Sequence, residues 1–275
     1  MFLLLLAVGS AAAAAVYRDN CLGIVVPFQR AKLEPLREMT ENWVRRKPFV
    51  SRPKRCIGLV FYSDRPLQIE TKNEIISWVL LSGSFGRNVD IEFISADLRP
   101  DEDGYPRGPN HMFMRLFSQT SDQSLFPWLR ERFRYIFLME ADTRPVQPGW
   151  ANAMARDVQN MGTSCVRGSI YFGEKKRPMW YRGHINGNAF YKLDCDYLWR
   201  TMEPLVLADN AGYDAVLYDG FMSVENIEIT KFYMHMFTYT RFIINMRHDT
   251  YNATYLNRIL ADTYLVHGGQ EVPVQ

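Results

Sequence analysis

The sequence predicts an α/β fold in which a mixed, mostly parallel sheet is flanked by helices. Through the first half of the chain, short apolar runs typical of buried strands alternate with segments of helical periodicity. Strands joined by helices tend to run parallel, because a parallel pair needs a crossover connection. The 275 residues are 47% hydrophobic, which is enough for one large core, and no stretch resembles a linker. We therefore expect a single domain over residues 17–275.

Four strands are predicted in the first half, separated by helices. The strands are Leu22–Phe28, Ile57–Tyr62, Val89–Ala96 and Tyr135–Met139, and the helices are Leu33–Arg46, Asn73–Leu81, His111–Phe117 and Leu125–Phe133. Pro27 ends the first strand, since proline cannot donate to a sheet. The stretch from Pro100 to Pro109 is rich in Asp, Gly and Pro, which predicts a long exposed loop.

The second half is less regular. Helices are predicted over Gly149–Asn160, Cys195–Leu207 and Asp214–Phe221, and extended segments over Ser164–Phe172 and Phe237–Asn245. Between them, residues 183–188 form a Gly- and Asn-rich loop that leads into an apolar segment.

Residues 1–16 are apolar and end in five alanines and a valine, but they are too few to span a bilayer. They match a signal peptide cleaved in the alanines, although a basic n-region is missing. A signal-anchor remnant and an imperfect start site are equally compatible. The first two interpretations direct the chain to the secretory pathway, to the ER or Golgi lumen or outside the cell. A signal anchor would also tether it to a membrane. The N-glycosylation sequon Asn252-Ala253-Thr254 is usable only if the chain enters the lumen of the secretory pathway.

Four widely separated cysteines contain no Cys-x-x-Cys pair, so a zinc site is not expected. They could form two disulfides in a lumenal protein. Because Cys21 and Cys56 adjoin strands that should be buried, the sequence slightly favours buried free thiols. The net charge of +2 does not indicate a nucleic-acid partner.

The apolar run Tyr135–Met139 leads directly into Glu140 and Asp142. Carboxylates at the end of a buried strand are costly unless a cation compensates them. Mg²⁺ and Mn²⁺ prefer oxygen ligands, and open α/β sheets bind ligands at the carboxyl ends of their strands. The pair therefore indicates a divalent-metal site, or else it caps the following loop or helix.

Four features follow one another along the chain: Glu140-x-Asp142, a loop containing Gly187, Asp214 at a helix start, and His267 near the end. This order resembles the GT-A glycosyltransferases, which use nucleotide-sugar donors. The resemblance covers most of residues 20–270, although each motif is short and Glu replaces the usual first Asp of the DxD motif. It implies Mn²⁺ or Mg²⁺ on the donor diphosphate, transfer to a glycan or protein acceptor, and a GT-A fold.

The resemblance also implies roles for these residues. Asp142 and His267 would bind the metal, and Glu140 would reach the donor ribose or hold a metal-bound water. Asp214 would be the general base of an inverting transfer, with Asp219 in reserve. From the residues alone, Asp214 is equally a helix N-cap, and His267 is a surface histidine before a flexible Gly-Gly.

The donor nucleotide would lie over the first strands, where Pro27, Phe28 and Arg30 would line the base pocket. Asp64 would accept a hydrogen bond from the uracil or ribose, and Arg115 would meet a phosphate. Gly187 would bring the backbone close to a sugar, because it lacks a side chain and tolerates positive φ.

Polar side chains of the same loop, Asn188 with His184 and Asn186, would bind sugar hydroxyls. The aromatic side chains of Trp150, Trp180 and Tyr181 are candidate acceptor platforms, although such residues are more often part of a core.

Other classes fit less well. A haloacid-dehalogenase-type phosphatase needs Asp as the nucleophile at the first position of its motif, where this chain has Glu140. A Rossmann dehydrogenase needs Gly-x-Gly-x-x-Gly after the first strand, where this chain has the residues Pro27 to Arg30. The main alternative is a non-catalytic sugar- or nucleotide-binding module on the same fold.

Overall fold

A computed structural model describes residues 21–52, 56–81, 83, 85, 89–173, 183–208, 210–219, 231 and 234–272. The residues 1–16, and with them the predicted signal segment, lie outside this part of the chain, as do Trp180 and Tyr181. Among the described residues, no helix combines the length and apolar character that crossing a bilayer requires.

The described residues form twelve strands. In chain order they are β1 Leu22–Phe28, β2 Ile57–Ser63, β3 Asp90–Ser95, β4 Tyr135–Leu138, β5 Thr143–Pro145, β6 Val166–Gly168, β7 Ala189–Lys192, β8 Phe237–Tyr239, β9 Ile243–Asn245, β10 Thr250–Tyr251, β11 Leu265–His267 and β12 Gln270–Glu271. The main sheet has the order β3-β2-β1-β4-β7-β6-β8. Its first four strands are parallel, and β7 is antiparallel to both β4 and β6. The predicted mixed, mostly parallel sheet is confirmed.

Helices cover both faces of this sheet. They are α1 Glu34–Arg45, α2 Ile69–Leu81, α3 Arg107–Phe117, α4 Phe126–Arg132, α5 Trp150–Asp157, α6 Asp196–Ala208, α7 Tyr213–Asp219 and α8 Ala253–Ile259. Side chains alternate along β1, so that Ile24 and Val26 pack under α1, α2 and α5 while Val25 packs under α3, α4, α6 and α7. Trp150 is fully buried in the first of these cores, and its Nε1 donates to Arg46 O. The expectation that Trp150 is an acceptor platform is therefore wrong.

A second, three-stranded sheet joins distant parts of the chain in the order β5-β11-β9. Strand β11 pairs antiparallel with β5, which places His267 opposite Thr143. The single strand predicted over Phe237–Asn245 is wrong, because β8 extends the main sheet and β9 belongs to this second sheet.

Most of the stretch Pro100–Pro109 is exposed, as predicted, but Glu102 and Gly108 are buried and the loop is shorter than predicted. Helix α3 already begins at Arg107. Glu102 is buried and accepts hydrogen bonds from Arg99 N and from Arg115 Nη2, at 2.9 Å and 2.7 Å. The first part of this segment is therefore anchored onto α3 through Glu102 and Arg115.

All four cysteines form disulfides, Cys21–Cys56 and Cys165–Cys195. The expectation of free thiols is wrong for a reason that lies in the register. Leu22 of β1 pairs with Ile57 of β2, so the residues just before them, Cys21 and Cys56, are neighbours at the same end of the sheet. Two disulfides fit an oxidising compartment.

Removing either disulfide should destabilise the protein substantially. The two bonds close loops with sequence separations of 35 and 30 residues. In the chain-entropy model, each constrains the unfolded chain enough to contribute about 3 to 4 kcal/mol. We expect the Cys165→Ser/Cys195→Ser variant to unfold at a correspondingly lower urea concentration than the parent. If the parent and the variant unfolded at the same urea concentration, the disulfide assignment would be contradicted. It would also be contradicted if dithiothreitol left the midpoint of the parent unchanged.

Candidate functional site

Two carboxylates and an imidazole meet where β4 ends. Glu140 and Asp142 lie between β4 and β5, and the chain continues directly into Thr143, the first residue of β5. His267 is the last residue of β11 and pairs with Thr143. Gly268 N also donates to Asp142 O, at 3.3 Å. Strand pairing thus brings together residues that are separated by about half of the chain.

The ligand atoms of Glu140, Asp142 and His267 lie within 4.8 Å of one another, as a bound cation requires. His267 Nε2 is 3.0 Å from Glu140 Oε2 and 3.3 Å from Asp142 Oδ1. The histidine side chain is 1% exposed, yet neither ring nitrogen has a well-aligned hydrogen-bond partner among the described residues. Buried polar atoms are normally paired, so an imidazole that has only the two nearby carboxylates beside it fits a metal ligand. The two carboxylate oxygens suit Mn²⁺ or Mg²⁺, and the imidazole nitrogen favours Mn²⁺, since Mg²⁺ prefers oxygen ligands.

The electrostatics of the cluster also favour a cation. Burial acts to raise the pKa of Asp142, but His267 and Arg247 outweigh it and hold that pKa below its ordinary value. Burial disfavours the charged form of His267, yet Asp142 and Glu140 raise its pKa to about 10. The protein therefore concentrates negative charge here, which a proton or a metal ion can neutralise.

The two glycines after His267 form a fixed turn. Gly268 and Gly269 have φ values of 60° and 75°, in the left-handed region that favours glycine. A Cβ on Gly268 would lie 2.8 Å from Arg247 Cα, too close for any other residue. The predicted alternative of a surface histidine before a flexible Gly-Gly is wrong, since His267 is buried and its turn is tightly packed.

Asn188 holds the segment that carries the two carboxylates through bonds to Glu140 and Thr143. Its Oδ1 accepts from Glu140 N at 2.8 Å and from Thr143 Oγ1 at 2.7 Å. Its Nδ2 donates to Glu140 Oε2 at 3.0 Å and to Asn186 Oδ1 at 2.9 Å. The side chain is buried and all four of its hydrogen-bonding positions are used within the protein. Asn188 is therefore a positioning residue, and the expectation that it binds a sugar hydroxyl is corrected.

Replacing Asn188 with alanine should loosen this arrangement. The variant leaves Glu140 N and the Thr143 hydroxyl unpaired, which should lower the free energy of unfolding by about 2 to 4 kcal/mol. Misplacing Glu140 should also weaken Mn²⁺ binding by about 10- to 100-fold, as loss of a group that orients a metal ligand does. Urea denaturation and calorimetric Mn²⁺ titration measure the two effects.

Asn160→Ala is the matched control for this variant. That asparagine is exposed, and its side chain makes one long bond of 3.4 Å, to Asp157. If both variants lost the same amount of stability and Mn²⁺ affinity, the positioning role of Asn188 would be refuted.

Asp214 lies in the first turn of α7, one residue after the helix begins, so the N-cap interpretation is not what the structure shows. Its Oδ2 is 3.4 Å from Asn186 Nδ2, which donates to it, and 3.6 Å from His184 Nε2. Burial acts to raise the pKa of Asp214, but His184 and the backbone N–H of Ala215 outweigh it and lower that pKa. Asp214 is therefore a carboxylate at neutral pH. Asp219 lies at the exposed end of the helix.

Alternate residues of the segment 184–188 connect the carboxylate of Asp214 with that of Glu140. His184 and Asn186 contact Asp214, and Asn188 bonds both Asn186 and Glu140. The alternation resembles that of a strand, where every second side chain shares a face. The segment 184–188 thus positions Asp214 relative to the Glu140 cluster.

A cavity opens at the carboxyl ends of β1, β2 and β4. Its walls include four residues predicted to bind the donor, namely Pro27, Phe28, Asp64 and Glu140. Asp64 Oδ1 accepts from the backbone N–H groups of Arg30 and Arg65, at 2.7 Å and 2.9 Å. The structure therefore brings half of the predicted donor-binding residues together around one cavity.

Three predicted donor contacts are placed differently. The Arg30 side chain is exposed and donates to Pro66 O, while Arg115 is buried in an ion pair with Glu102 at 2.7 Å. We therefore correct the phosphate role of Arg115, because its guanidinium is already bound. Gly187 does not have positive φ, and a side chain there would collide with the Tyr213 phenol. Its close neighbour is this ring, which lines the cavity.

Sequence reasoning missed Arg247. This residue is exposed, and its charge lowers the pKa of Asp142. It is the residue before the exposed His248, whose φ of 73° marks a tight turn. An isolated Arg-His pair gives no signal of this role in the sequence, because the position of Arg247 near Asp142 depends on its packing against Gly268.

Comparison with known proteins identifies the fold. No family model and no curated protein matches the sequence. Over 90% of this chain and 97% of the other, the structure is similar to the crystal structure of mouse xyloside xylosyltransferase 1 in its apo form. The TM-score is 0.56 and the sequence identity 10%. At this identity the likeness establishes the fold alone, and the predicted GT-A fold is confirmed.

Two further solved structures show weaker likeness. The mannosyltransferase Ktr4p from S. cerevisiae in complex with GDP has a TM-score of 0.47 at 11% identity, over 73% of this chain and 66% of that chain. TarS from S. aureus has a TM-score of 0.44 at 10% identity, over 90% of this chain and 60% of that chain.

Proposed function

We propose that this protein is a glycosyltransferase that moves a sugar from a nucleotide-diphosphate donor to a hydroxyl of a glycan or protein acceptor. The observation that carries the proposal is the cluster of Glu140, Asp142 and the buried His267 beside a cavity on a GT-A fold. A binding module could use the same fold. It would not, however, need a separate ionised carboxylate such as Asp214.

The donor nucleotide is proposed to occupy the cavity at the ends of β1, β2 and β4. Pro27 and Phe28 offer apolar surface to the base, and the Asp64 carboxylate faces the same space. Asp142 and His267 would hold Mn²⁺ or Mg²⁺, with Glu140 as the third ligand or the holder of a metal-bound water. When bound, the metal supplies positive charge to the diphosphate, whose negative charge grows as it leaves. Arg247 adds a second positive charge beside Asp142.

Asp214 is proposed as the general base. Its lowered pKa keeps it ionised, so that it can accept the proton of the acceptor hydroxyl. As that O–H bond breaks, the acceptor oxygen forms a bond to the anomeric carbon and the bond to the diphosphate breaks. The proton resides on Asp214 and the electron pair on the departing diphosphate. Attack opposite the leaving group inverts the anomeric configuration. Two disulfides agree with action in the lumen of the secretory pathway.

A thermal-shift screen of nucleotide sugars, with and without Mn²⁺, tests this proposal. A donor present at about 100 times its Kd should stabilise the protein by about 2.7 kcal/mol, raising the Tm by roughly 5 to 10 °C. The shift should require Mn²⁺. Release of nucleoside diphosphate from the same donor then separates an enzyme from a binding module. A donor that binds with Mn²⁺ but is never turned over, with any acceptor or with water, would support the binding module instead.

A further inference from the structure

A second cavity lies beside the start of α7. Tyr213 lines the proposed donor cavity, and the next residue, Asp214, lines this second one. The two cavities therefore adjoin at the first turn of α7. Because Asp214 is the proposed base, whatever occupies the second cavity can present a hydroxyl to it.

Among the residues that the structure describes, the lining of this cavity is mainly apolar and aromatic. Its other described lining residues are Val166, Ile185, Leu217, Tyr218, Met234, Phe237 and Tyr239. Asp214 is the one charged residue among the described lining residues. Phe237 and Tyr239 are two residues apart on β8, so both side chains project from the same face of the strand. A sugar without an aromatic substituent would have few hydrogen-bond partners on such a surface.

Two of these residues are large and exposed although they are apolar or aromatic. Met234 is 57% exposed and Tyr239 is 58% exposed. Tyr239 Oη donates to Gly183 O at 3.4 Å, which holds the ring at the edge of the cavity. Aromatic rings bind other rings through stacked or edge-on contacts, and methionine sulfur adapts to aromatic partners.

From these observations we infer that the cavity beside Asp214 is an acceptor subsite for an aromatic group carried within one sugar unit of the reacting hydroxyl. The inference rests on the proposed function, since it takes Asp214 as the base. The aromatic ring packs among Phe237, Tyr218 and Tyr239, and the sugar to which it is joined lies at Asp214. The subsite thereby selects aryl glycosides over simple sugars.

Binding of matched glycosides tests the subsite without any donor. The probes are phenyl and methyl β-D-xylopyranoside, and phenyl and methyl β-D-glucopyranoside, titrated into the full chain by calorimetry. Phenyl glycosides should bind at least about tenfold more tightly than their methyl counterparts, because the ring buries additional apolar area. Equal affinity of phenyl and methyl glycosides, or no binding of either, overturns the inference.

Variants at the rim locate the binding. Met234→Ala and Tyr239→Ala change exposed side chains, so both variants should fold, and each should reduce the phenyl preference to within about threefold. Tyr255→Ala is the matched control, an exposed tyrosine of α8 that does not line the cavity. A phenyl preference that persists in both rim variants, or that Tyr255→Ala removes equally, overturns the inference.

The outcome is distinguishable from failure of the proposed function. If phenyl glycosides bind selectively but no nucleotide sugar raises the Tm with Mn²⁺, the transferase proposal is contradicted. The assignment of the cavity as an aryl-binding site is then retained. If the protein turns over a donor but binds phenyl and methyl glycosides equally, the transferase proposal stands and the aryl subsite is refuted.

Discussion

Replacing Asp142 with asparagine should abolish Mn²⁺-dependent donor binding and reduce turnover by at least about 10³-fold. The substitution keeps the size of the side chain but removes a charge that contributes to the attraction for a cation. Asp142 is 52% exposed on its side chain, so the fold should tolerate the change. The thermal-shift screen should show no Mn²⁺-dependent rise in Tm for the variant, and nucleoside diphosphate release should fall to background.

Asp262→Asn provides the matched control for this prediction. It removes the same charge from an exposed aspartate outside the cluster. The control should retain the full Mn²⁺-dependent shift and full turnover. A normal shift in Asp142→Asn would show that the donor is held without this carboxylate, and it would remove the metal site from the proposal.

The fold and the first half of the site could be predicted because their signals are local. The four strands from Leu22 to Met139 are apolar runs bounded by helix-forming segments, and the acidic pair follows its strand directly. The parallel order then places the ends of β1, β2 and β4 at one edge, where the cavity lies. Local pattern and sheet geometry were sufficient there.

The parts that could not be predicted depend on pairing between distant residues. His267 is buried beside the two carboxylates because β11 pairs with β5, and no local pattern encodes that register. The Cys21–Cys56 bond depends in the same way on the register of β1 and β2. Asn188 was predicted as a ligand because polar loops commonly bind sugars, yet three of its four hydrogen bonds go to residues more than 40 positions away.

Replacing Asp214 with asparagine should reduce turnover by about 10² to 10⁴-fold while leaving the Mn²⁺-dependent donor shift intact. Asparagine keeps the size of the side chain but cannot accept the acceptor proton. With Mn²⁺ saturating, so that protonation of His267 does not displace the metal, the acid limb of the parent should lie below the ordinary range of aspartate, because the pKa of Asp214 is lowered. Protonation of Asp214 removes the base, so kcat/KM should then fall as the pH drops through that lowered pKa. His184→Gln should move this acid limb to higher pH, since His184 is the first of the groups that lower the pKa. Unaltered turnover in Asp214→Asn, or an acid limb that His184→Gln does not move, would show that another group takes the proton.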